Sequence, residues 1–80
     1  MERRPCTGEI YRHFKNKLYV VLDIVNDCNS TNGEGKMVIY QALYGEHLKW
    51  ARTLDEFASE VDHNKYPEVT QKWRFEEIKL

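Results

Sequence analysis

Three short blocks of this 80-residue sequence carry side chains that could bind a ligand. They supply aromatic rings with polar tips, an imidazole and a guanidinium, groups that can line a pocket as well as fill a core. Most of them stand two or four positions apart, and residues at even spacing share one face of a β-strand. If the three faces coincide, they form an aromatic cleft that suits a flat or anionic ligand, such as a nucleotide, a base or a peptide carboxylate. The candidate binding residues are Tyr11, His13, Tyr40, Gln41, Tyr44, Trp50 and Arg52.

The same rings could instead belong to the protein core. A chain of 80 residues buries only a little over ~60% of the surface that its unfolded form exposes, so aromatic residues must supply much of the core volume. On this interpretation the Tyr and Trp residues pack across strands, and Arg52 pairs with Glu9 or Asp55. A Trp50→Ala variant separates the two interpretations, because truncating a core Trp costs about 3–5 kcal/mol whereas a surface Trp costs little.

Catalysis has weaker support in the sequence. His13 or His47 could act as a general base with Glu46 or Asp23 behind it, but no motif fixes that geometry. The serines and cysteines stand in no nucleophile motif. An enzyme that uses His13 is therefore an alternative to the binding interpretation, and we do not favour it.

The possible metal ligands have no recognised spacing. We therefore predict no metal site, and no other cofactor motif is present. The residues considered are His13, His47, His63, Cys6 and Cys28.

The charge balance argues against a general attraction to polyanions. Twelve basic and 13 acidic residues give a net charge of −1, so there is no global basic field to draw the protein onto nucleic acid or an anionic membrane. A local basic and aromatic face could still bind single-stranded nucleic acid by stacking, which is possible but not favoured. The residues of such a face are Lys15, Lys17, Lys36, Lys49 and Arg52.

The sequence also bears on the location of the protein and on the state of its cysteines. No apolar run approaches the ~20 residues that span a bilayer, and no hydrophobic segment follows the basic N-terminal residues. We expect a cytoplasmic protein without a membrane partner. Cys6 and Cys28 are expected to be free thiols, as is usual in a reducing compartment. The sequence makes no prediction of oligomeric state.

Alternating patterns predict five strands. The second is apolar on both faces, which is typical of a central strand covered on both sides. The tight turn before the second strand contains Asn16, a residue type that tolerates positive φ. A long loop with a sharp Asn32-Gly33 turn follows the second strand. The predicted strands are Glu9–Lys15, Leu18–Val25, Lys36–Leu43, Leu48–Arg52 and Val69–Ile78, with the loop at Asn26–Gly35.

One short helix precedes the last strand. Thr53 and Glu56 fit a capping box, in which the Thr hydroxyl accepts from the backbone N–H of Glu56 and the Glu carboxylate reaches back. Leu54, Phe57 and Val61 follow at helical spacing, so the helix is predicted to end near Val61. Residues 1–7 are predicted to be a flexible arm, and residues 8–80 a single mostly β domain. A five-stranded antiparallel SH3-like barrel is the first choice, because closure removes exposed edges; an OB-type barrel and an open sheet follow.

Three motifs carry a family resemblance. The blocks at residues 11–15, 38–45 and 50–54, read as YRHFK, VIYQALYG and WAR-x-L, resemble the small bacterial family catalogued as domain of unknown function 1653. The resemblance covers about Gly8 to Val61, with an extension to the end of the chain left open. It implies a bacterial, cytoplasmic, stand-alone domain with no established activity. Three positions depart from the family pattern: Asn16 replaces a Gly, Ala51 a Val and Thr53 a Pro. The loop Asn26–Gly35 is also longer than in the family. Asn16 and Thr53 suit the predicted turn and helix cap.

Taken together, these patterns predict a binding module on a small barrel. Its ligand is expected to be an unidentified small molecule, anionic or nucleotide-like, or a peptide. Strands one, three and four must meet for the site to exist, because no single block holds all of the residues.

Overall fold

The computed structural model describes residues 4–30 and 35–79. It contains five strands and one short helix. The predicted Asn32-Gly33 turn, and the first three residues of the predicted arm, lie outside the described residues. The elements in chain order are β1 (Ile10–His13), β2 (Lys17–Asn26), β3 (Lys36–Ala42), β4 (Lys49–Thr53), α1 (Leu54–Phe57) and β5 (Phe75–Ile78).

The strands form one antiparallel sheet in the order β4-β3-β2-β1-β5. The first four strands are joined as successive hairpins, and the chain then crosses so that β5 pairs with the free side of β1. The long apolar β2 is central, as predicted. The mostly β class, the five strands and the helix before the last strand are confirmed.

The sheet is not closed into a barrel, so the SH3-like closure predicted from the sequence is wrong. Among the described residues, β4 and β5 form no backbone ladder with each other, and they are the two edges of the sheet. Their side chains meet instead: the Arg52 guanidinium lies 5.9 Å from the centre of the Phe75 ring. Both edge strands are short, and the last strand begins at Phe75 rather than at Val69, which leaves too little strand to complete the closure.

The core lies between the sheet and α1. The ring of Phe57 from α1 stacks on Phe75 from β5 with 4.2 Å between centroids and 6° between planes. Tyr40 meets both rings edge-on, at 5.6 Å and 5.5 Å. Six buried residues make up this core cluster: Tyr11, Val21, Val38, Tyr40, Phe57 and Phe75.

A bulge in β2 changes which of its side chains reach the core. The register pairs Val21 with Tyr40 and then Asp23 with Ile39, so β2 has one extra residue between these two pairs. Side-chain direction alternates with period two, and an extra residue therefore reverses the phase beyond it. Ile24 consequently packs against the core. An unbroken alternation from Leu18 predicts Ile24 on the same face as Leu18, Val20 and Leu22, and the bulge makes that prediction wrong.

The helix is capped as predicted but is shorter. Glu56 N–H donates to Thr53 Oγ1 at 3.2 Å, which is the expected N-cap bond. The Glu56 carboxylate does not reach back to the cap, because its Oε2 accepts from Arg52 Nη1 at 3.4 Å. The helix ends at Phe57 rather than near Val61, and the chain then bends so that Glu60 bridges Trp73.

Candidate binding site

A cavity of about 440 Å³ opens on the core-facing side of the sheet. This volume lies within the range of ~300–1,000 Å³ that is typical of small-molecule pockets. We call it the aromatic–cationic cavity. Its lining residues are His13, Phe14, Lys15, Lys17, Tyr19, Tyr40, Tyr44, Trp50, Arg52, Tyr66 and Arg74.

Strand register brings these residues to one face. Tyr40 pairs with Trp50 across β3 and β4, and His13 pairs with Lys17 across β1 and β2. Directly paired residues of an antiparallel sheet project on the same side, with Cβ atoms ~5 Å apart. Arg52, two positions beyond Trp50, therefore projects on the same side as Tyr40 and Trp50.

Five of the seven residues predicted from the sequence line this cavity. They come from β1, β3, β4 and the β3–β4 connection, so the three sequence blocks meet in space. These five are His13, Tyr40, Tyr44, Trp50 and Arg52.

The other two predicted residues lie elsewhere. Tyr11 is a core residue with 7% of its surface exposed; its ring packs edge-on against Phe57 at 5.2 Å, and its hydroxyl donates to Glu9 Oε1 at 2.9 Å. Gln41 projects from the opposite face of β3 to its neighbour Tyr40, and its Nε2 donates to the His47 carbonyl at 3.0 Å. The residue that pairs with Arg52 is also neither Glu9 nor Asp55, as considered above, but Glu56.

Six lining residues were not among those predicted: Phe14, Lys15, Lys17, Tyr19, Tyr66 and Arg74. A sequence signal existed for Tyr19 and Lys17, because a tight turn at Asn16 pairs them with Tyr11 and His13. Asn16 indeed adopts a φ of 68°. No periodicity pointed to Tyr66 and Arg74, since both come from irregular chain between α1 and β5.

The cavity is strongly cationic for a protein whose net charge is −1. Four basic residues line it, and no Asp or Glu within residues 4–30 and 35–79 does so. Of the four, only Arg52 makes an ion pair within the described part of the chain, with Glu56 Oε2 at 3.4 Å. The Glu56 side chain is 60% exposed, so water screens this pair and it offsets little of the local charge.

Arg52 is held in place from three directions. Its Nε donates to the Tyr40 hydroxyl at 3.2 Å, and its Nη1 donates to Glu56. The guanidinium also lies over the Phe75 ring at 5.9 Å, within the distance of a cation–π contact. These contacts fix the position of the charge before any ligand binds. The Arg52 side chain therefore loses less conformational entropy on binding.

His13 is neutral at physiological pH. Burial of its ring, followed by the positive charges of Arg52, Arg74 and Lys15, lowers the pKa of His13 from its ordinary 6.5 to about 4. The Nδ1 atom accepts from the Lys15 backbone N–H at 3.1 Å, so the proton of the neutral ring lies on Nε2. Nε2 has no acceptor within hydrogen-bond distance among the residues that the structure describes.

Two tyrosines share a hydrogen bond at the mouth of the cavity. The hydroxyl oxygens of Tyr19 and Tyr44 are 2.6 Å apart. Burial and this bond raise the pKa of Tyr19 above its ordinary value, so its hydroxyl stays protonated. Lys17 Nζ lies 5.0 Å from the centre of the Tyr44 ring. The mouth thus combines hydroxyl groups, exposed ring surface and a cation.

Comparison with known proteins gives one match. The family described as Protein of unknown function (DUF1653) matches residues 9–77, which span β1 to β5. The chain belongs to this family. Neither a curated protein nor a solved structure matches the chain significantly.

The match covers every element that lines the cavity in this DUF1653 protein. The resemblance found in the sequence covered about Gly8 to Val61 and left the end of the chain open, and the family match extends to Glu77. It therefore includes Tyr66 and Arg74, the two lining residues that no sequence pattern pointed to.

The arrangement gives no support to a His13 general base in the DUF1653 protein. Such a base needs a proton donor or an orienting carboxylate within hydrogen-bond reach. The only hydrogen bond of the His13 side chain within the described ranges is the one from the Lys15 backbone, and its ring packs against Phe14, Tyr19 and Phe75 at 4.3, 6.4 and 4.9 Å.

Within residues 4–30 and 35–79, no group of three or more His, Cys, Asp or Glu side chains is placed to hold a metal ion. No described helix has the length and apolar character needed to cross a membrane.

The basic face considered for nucleic acid is divided in the structure. Lys15, Lys17 and Arg52 line the cavity. Lys49 pairs with Gln41 on the opposite face of the sheet, and Lys36 lies at the far end of β3, opposite Asn26.

Proposed function

We propose that this DUF1653 protein is a non-enzymatic binding module whose aromatic–cationic cavity holds a small anionic ligand with a flat ring, such as a nucleotide. The observation that carries the proposal is the composition of one cavity: six aromatic rings and four cations, without a lining carboxylate among the described residues. Rings supply stacking surface and cations supply charge complementarity, and a nucleotide needs both.

Exposed rings at the mouth support the stacking part of the proposal. Trp50 keeps 49% of its surface exposed although Tyr40, its direct partner across the ladder, is 5% exposed. An exposed Trp beside cations is a suitable platform for a planar ring, and stacking of a base on such a ring is worth ~1–3 kcal/mol.

Fixed positive charge supports the anionic part. Arg52 is held by Tyr40 and Glu56, and Arg74 Nε donates to Ser59 Oγ at 3.2 Å. A guanidinium anchored by one edge still presents N–H donors on its other edge, in a planar fork that matches a carboxylate or phosphate.

Isothermal titration calorimetry with a panel of ligands tests the proposal. The panel contains nucleotides, nucleosides, an acidic peptide and simple dicarboxylates. We expect binding of the anionic, ring-bearing members, and a loss of about tenfold or more in affinity for Trp50→Ala if one stacking contact of ~1–3 kcal/mol is removed.

Leu48→Ala is the matched control for Trp50→Ala. Leu48 is 51% exposed, stands two positions away and does not line the cavity. It should bind as the unaltered protein does. The proposal fails if no panel member binds at about 1 mM, a concentration that corresponds to only ~4 kcal/mol of binding free energy.

Single-stranded nucleic acid is a second candidate ligand. The observation in its favour is the pair of exposed lysines, Lys15 and Lys17, beside the rings of Tyr66 and Tyr44, with Nζ-to-centroid distances of 5.8 and 5.0 Å. Such binding requires contacts to several phosphates, so the logarithm of affinity should fall linearly with the logarithm of salt concentration. A titration of oligonucleotides that is flat or independent of salt would remove this candidate.

We further propose that the protein acts in the cytoplasm. Cys6 and Cys28 are both exposed free thiols, a state that a reducing compartment maintains. A thiol titration in cell extract would check this.

A further inference from the structure

We propose that the anionic group held in the aromatic–cationic cavity is a phosphomonoester, seated between Arg52, Arg74 and Lys15 with the His13 imidazole as an additional donor. This inference rests on the proposed function, since it names the chemistry of the ligand at that same site. The flat ring of the ligand then lies towards the mouth, against Trp50 and Tyr44.

Geometry places the donors at one end of the cavity. The buried ring of Phe75 contacts two of them: the Arg52 guanidinium lies 5.9 Å from its centre, and the His13 ring meets it edge-on at 4.9 Å. Arg74 is the preceding residue, and its carbonyl accepts from the Phe14 backbone N–H at 3.0 Å. Chain connectivity and packing therefore keep His13, Arg52 and Arg74 around one point.

The same three cations act on His13. Burial of the ring is the largest cause of its low pKa of about 4, and the positive charges of Arg52, Arg74 and Lys15 lower this pKa further. Three cations that all repel a proton at one place also attract an anion at that place.

Charge balance favours a dianion over a carboxylate. In the described part of the chain the only carboxylate paired with a lining cation is that of Glu56, which is mostly exposed and bound to Arg52. One carboxylate would balance a single cation and leave Arg74 and Lys15 uncompensated. A phosphomonoester carries a charge of about −1.5 to −2 at pH 7 and has three strong acceptor oxygens.

Donor counting agrees with this charge balance. Arg52 uses Nε for Tyr40 and one Nη1 hydrogen for Glu56, and Arg74 uses Nε for Ser59. Each guanidinium has five N–H donors, so both retain an Nη2 group, and Arg74 retains Nη1 as well. With the Nε2–H of His13 and the ammonium of Lys15, these donors can meet three phosphate oxygens from several sides.

The mouth of the cavity provides the place for the rest of the ligand. Trp50 and Tyr44 are the exposed rings there, whereas Tyr40 is buried next to Arg52. A molecule with its phosphate at the buried end therefore extends its ring towards solvent. Two sources share this chemistry: a free nucleoside monophosphate and the 5′-phosphate end of a nucleic-acid strand.

Calorimetry with three matched sets of probes tests the inference. The sets are the four common ribonucleoside 5′-monophosphates, their 3′,5′-cyclic diesters and the parent nucleosides. We expect at least one monophosphate to bind about tenfold or more tightly than its cyclic diester, since the diester lacks the second charge and one terminal oxygen. Tetranucleotides with and without a 5′-phosphate distinguish the two sources, because only a site that accepts a strand end binds the phosphorylated one.

Arginine variants localise the effect. Arg74→Lys and Arg52→Lys keep the charge and remove the planar fork, so the preference for monophosphate over diester should fall by about tenfold. Lys49→Ala is the control, because Lys49 lies on the opposite face of the sheet and its removal should leave the preference unchanged.

A second measurement uses the unaltered protein and does not depend on any variant folding. The pKa of His13 is followed by NMR with and without a saturating monophosphate. The charged groups that face His13 are Lys15 in the β1–β2 turn, Arg52 in β4 and Arg74 before β5. The ring of the neutral Tyr19 from β2 also packs against it. A bound dianion offsets these cations, so the pKa of His13 should rise from about 4 towards its ordinary value.

The outcomes separate the two proposals. Equal affinity for monophosphate, diester and nucleoside, or an unchanged His13 pKa on saturation, overturns the phosphomonoester while the binding-module proposal stands. If no member of any set binds, the phosphomonoester is overturned, and the binding-module proposal fails as well when the acidic peptide and the dicarboxylates of its own panel also do not bind.

Discussion

At the residue scale, burial divides the aromatic side chains into two roles. Tyr40 and Trp50 are direct partners across β3 and β4, yet Tyr40 is 5% exposed and Trp50 is 49% exposed. The core interpretation holds for Tyr11 and Tyr40, whereas Trp50 forms an exposed wall of the cavity. Tyr40 also lines the inner end of the cavity, and its hydroxyl accepts from Arg52.

The stability of a Trp50→Ala variant should reflect this half-exposed position. We expect a loss of about 1–2 kcal/mol in the free energy of unfolding, against ~3–5 kcal/mol for a buried aromatic residue. Phe57→Ala is the comparison, since Phe57 is 2% exposed and stacks on Phe75. Urea denaturation of both variants gives the two values. A Trp50→Ala loss as large as that of Phe57→Ala would show that Trp50 is a core residue.

His13 should make stability depend on pH in a defined window. Its pKa is about 4 in the folded protein and 6.5 ordinarily, so between these values the unfolded chain binds more protons than the folded one. Stability should therefore fall as pH decreases from 6.5 to about 4, and should not depend on this group above 6.5.

The pH effect is read as the difference between the unaltered protein and His13→Gln. Gln can still accept from the Lys15 backbone but does not titrate, so its denaturation midpoint should fall less over this pH window. Identical pH dependence in the two proteins would show that His13 is not held in its neutral form.

At the element scale, sequence patterns located the strands better than their ends and phases. In β3, residues at even spacing share a face, which groups Val38, Tyr40 and Ala42, and all three are buried. The bulge in β2 left no mark in the pattern, because both faces of that strand are apolar and a shift by one residue exchanges one apolar side chain for another. The early end of α1 was equally hidden, since Val61 continues the helical spacing although it lies beyond the bend.

The N-cap of α1 makes a local prediction. Thr53→Ala removes the acceptor for Glu56 N–H and should reduce the free energy of unfolding by about 1 kcal/mol. The cap also joins β4 to the helix, so hydrogen exchange at Asp55 and Glu56 should accelerate. Thr70→Ala, in an exposed position, is the control and should change stability by less than ~0.5 kcal/mol. Equal losses in the two variants would contradict the role of the cap.

At the scale of the whole molecule, a nearly neutral protein concentrates four of its 12 basic residues in one cavity. Composition could not predict this concentration, because net charge averages over all surfaces. Strand pairing could predict part of this concentration, because paired strands bring His13, Tyr40, Trp50 and Arg52 together. The contribution of Arg74 and Tyr66 depends on irregular chain between α1 and β5, whose path follows no periodic pattern.

The irregular chain between α1 and β5 also explains why the sheet stays open. The sequence predicts closure because closure removes exposed edges, and it predicts a last strand from Val69 to Ile78. The strand begins at Phe75 instead, and the preceding residues go to side-chain and turn contacts such as Gln71 Nε2 with the carbonyls of Arg12 and Trp73 at 3.0 and 2.8 Å.

The central claim is that ligand binding takes place in the aromatic–cationic cavity, and NMR mapping tests it most directly. A two-dimensional ¹H–¹⁵N spectrum is recorded while a nucleoside monophosphate is added. We predict saturable shifts at the Trp50 indole, at His13 and Tyr44, and at the Arg52 and Arg74 guanidinium groups, with Lys49 unchanged on the opposite face. The account is contradicted if these signals stay in place while signals elsewhere move, or if none moves at about 1 mM ligand.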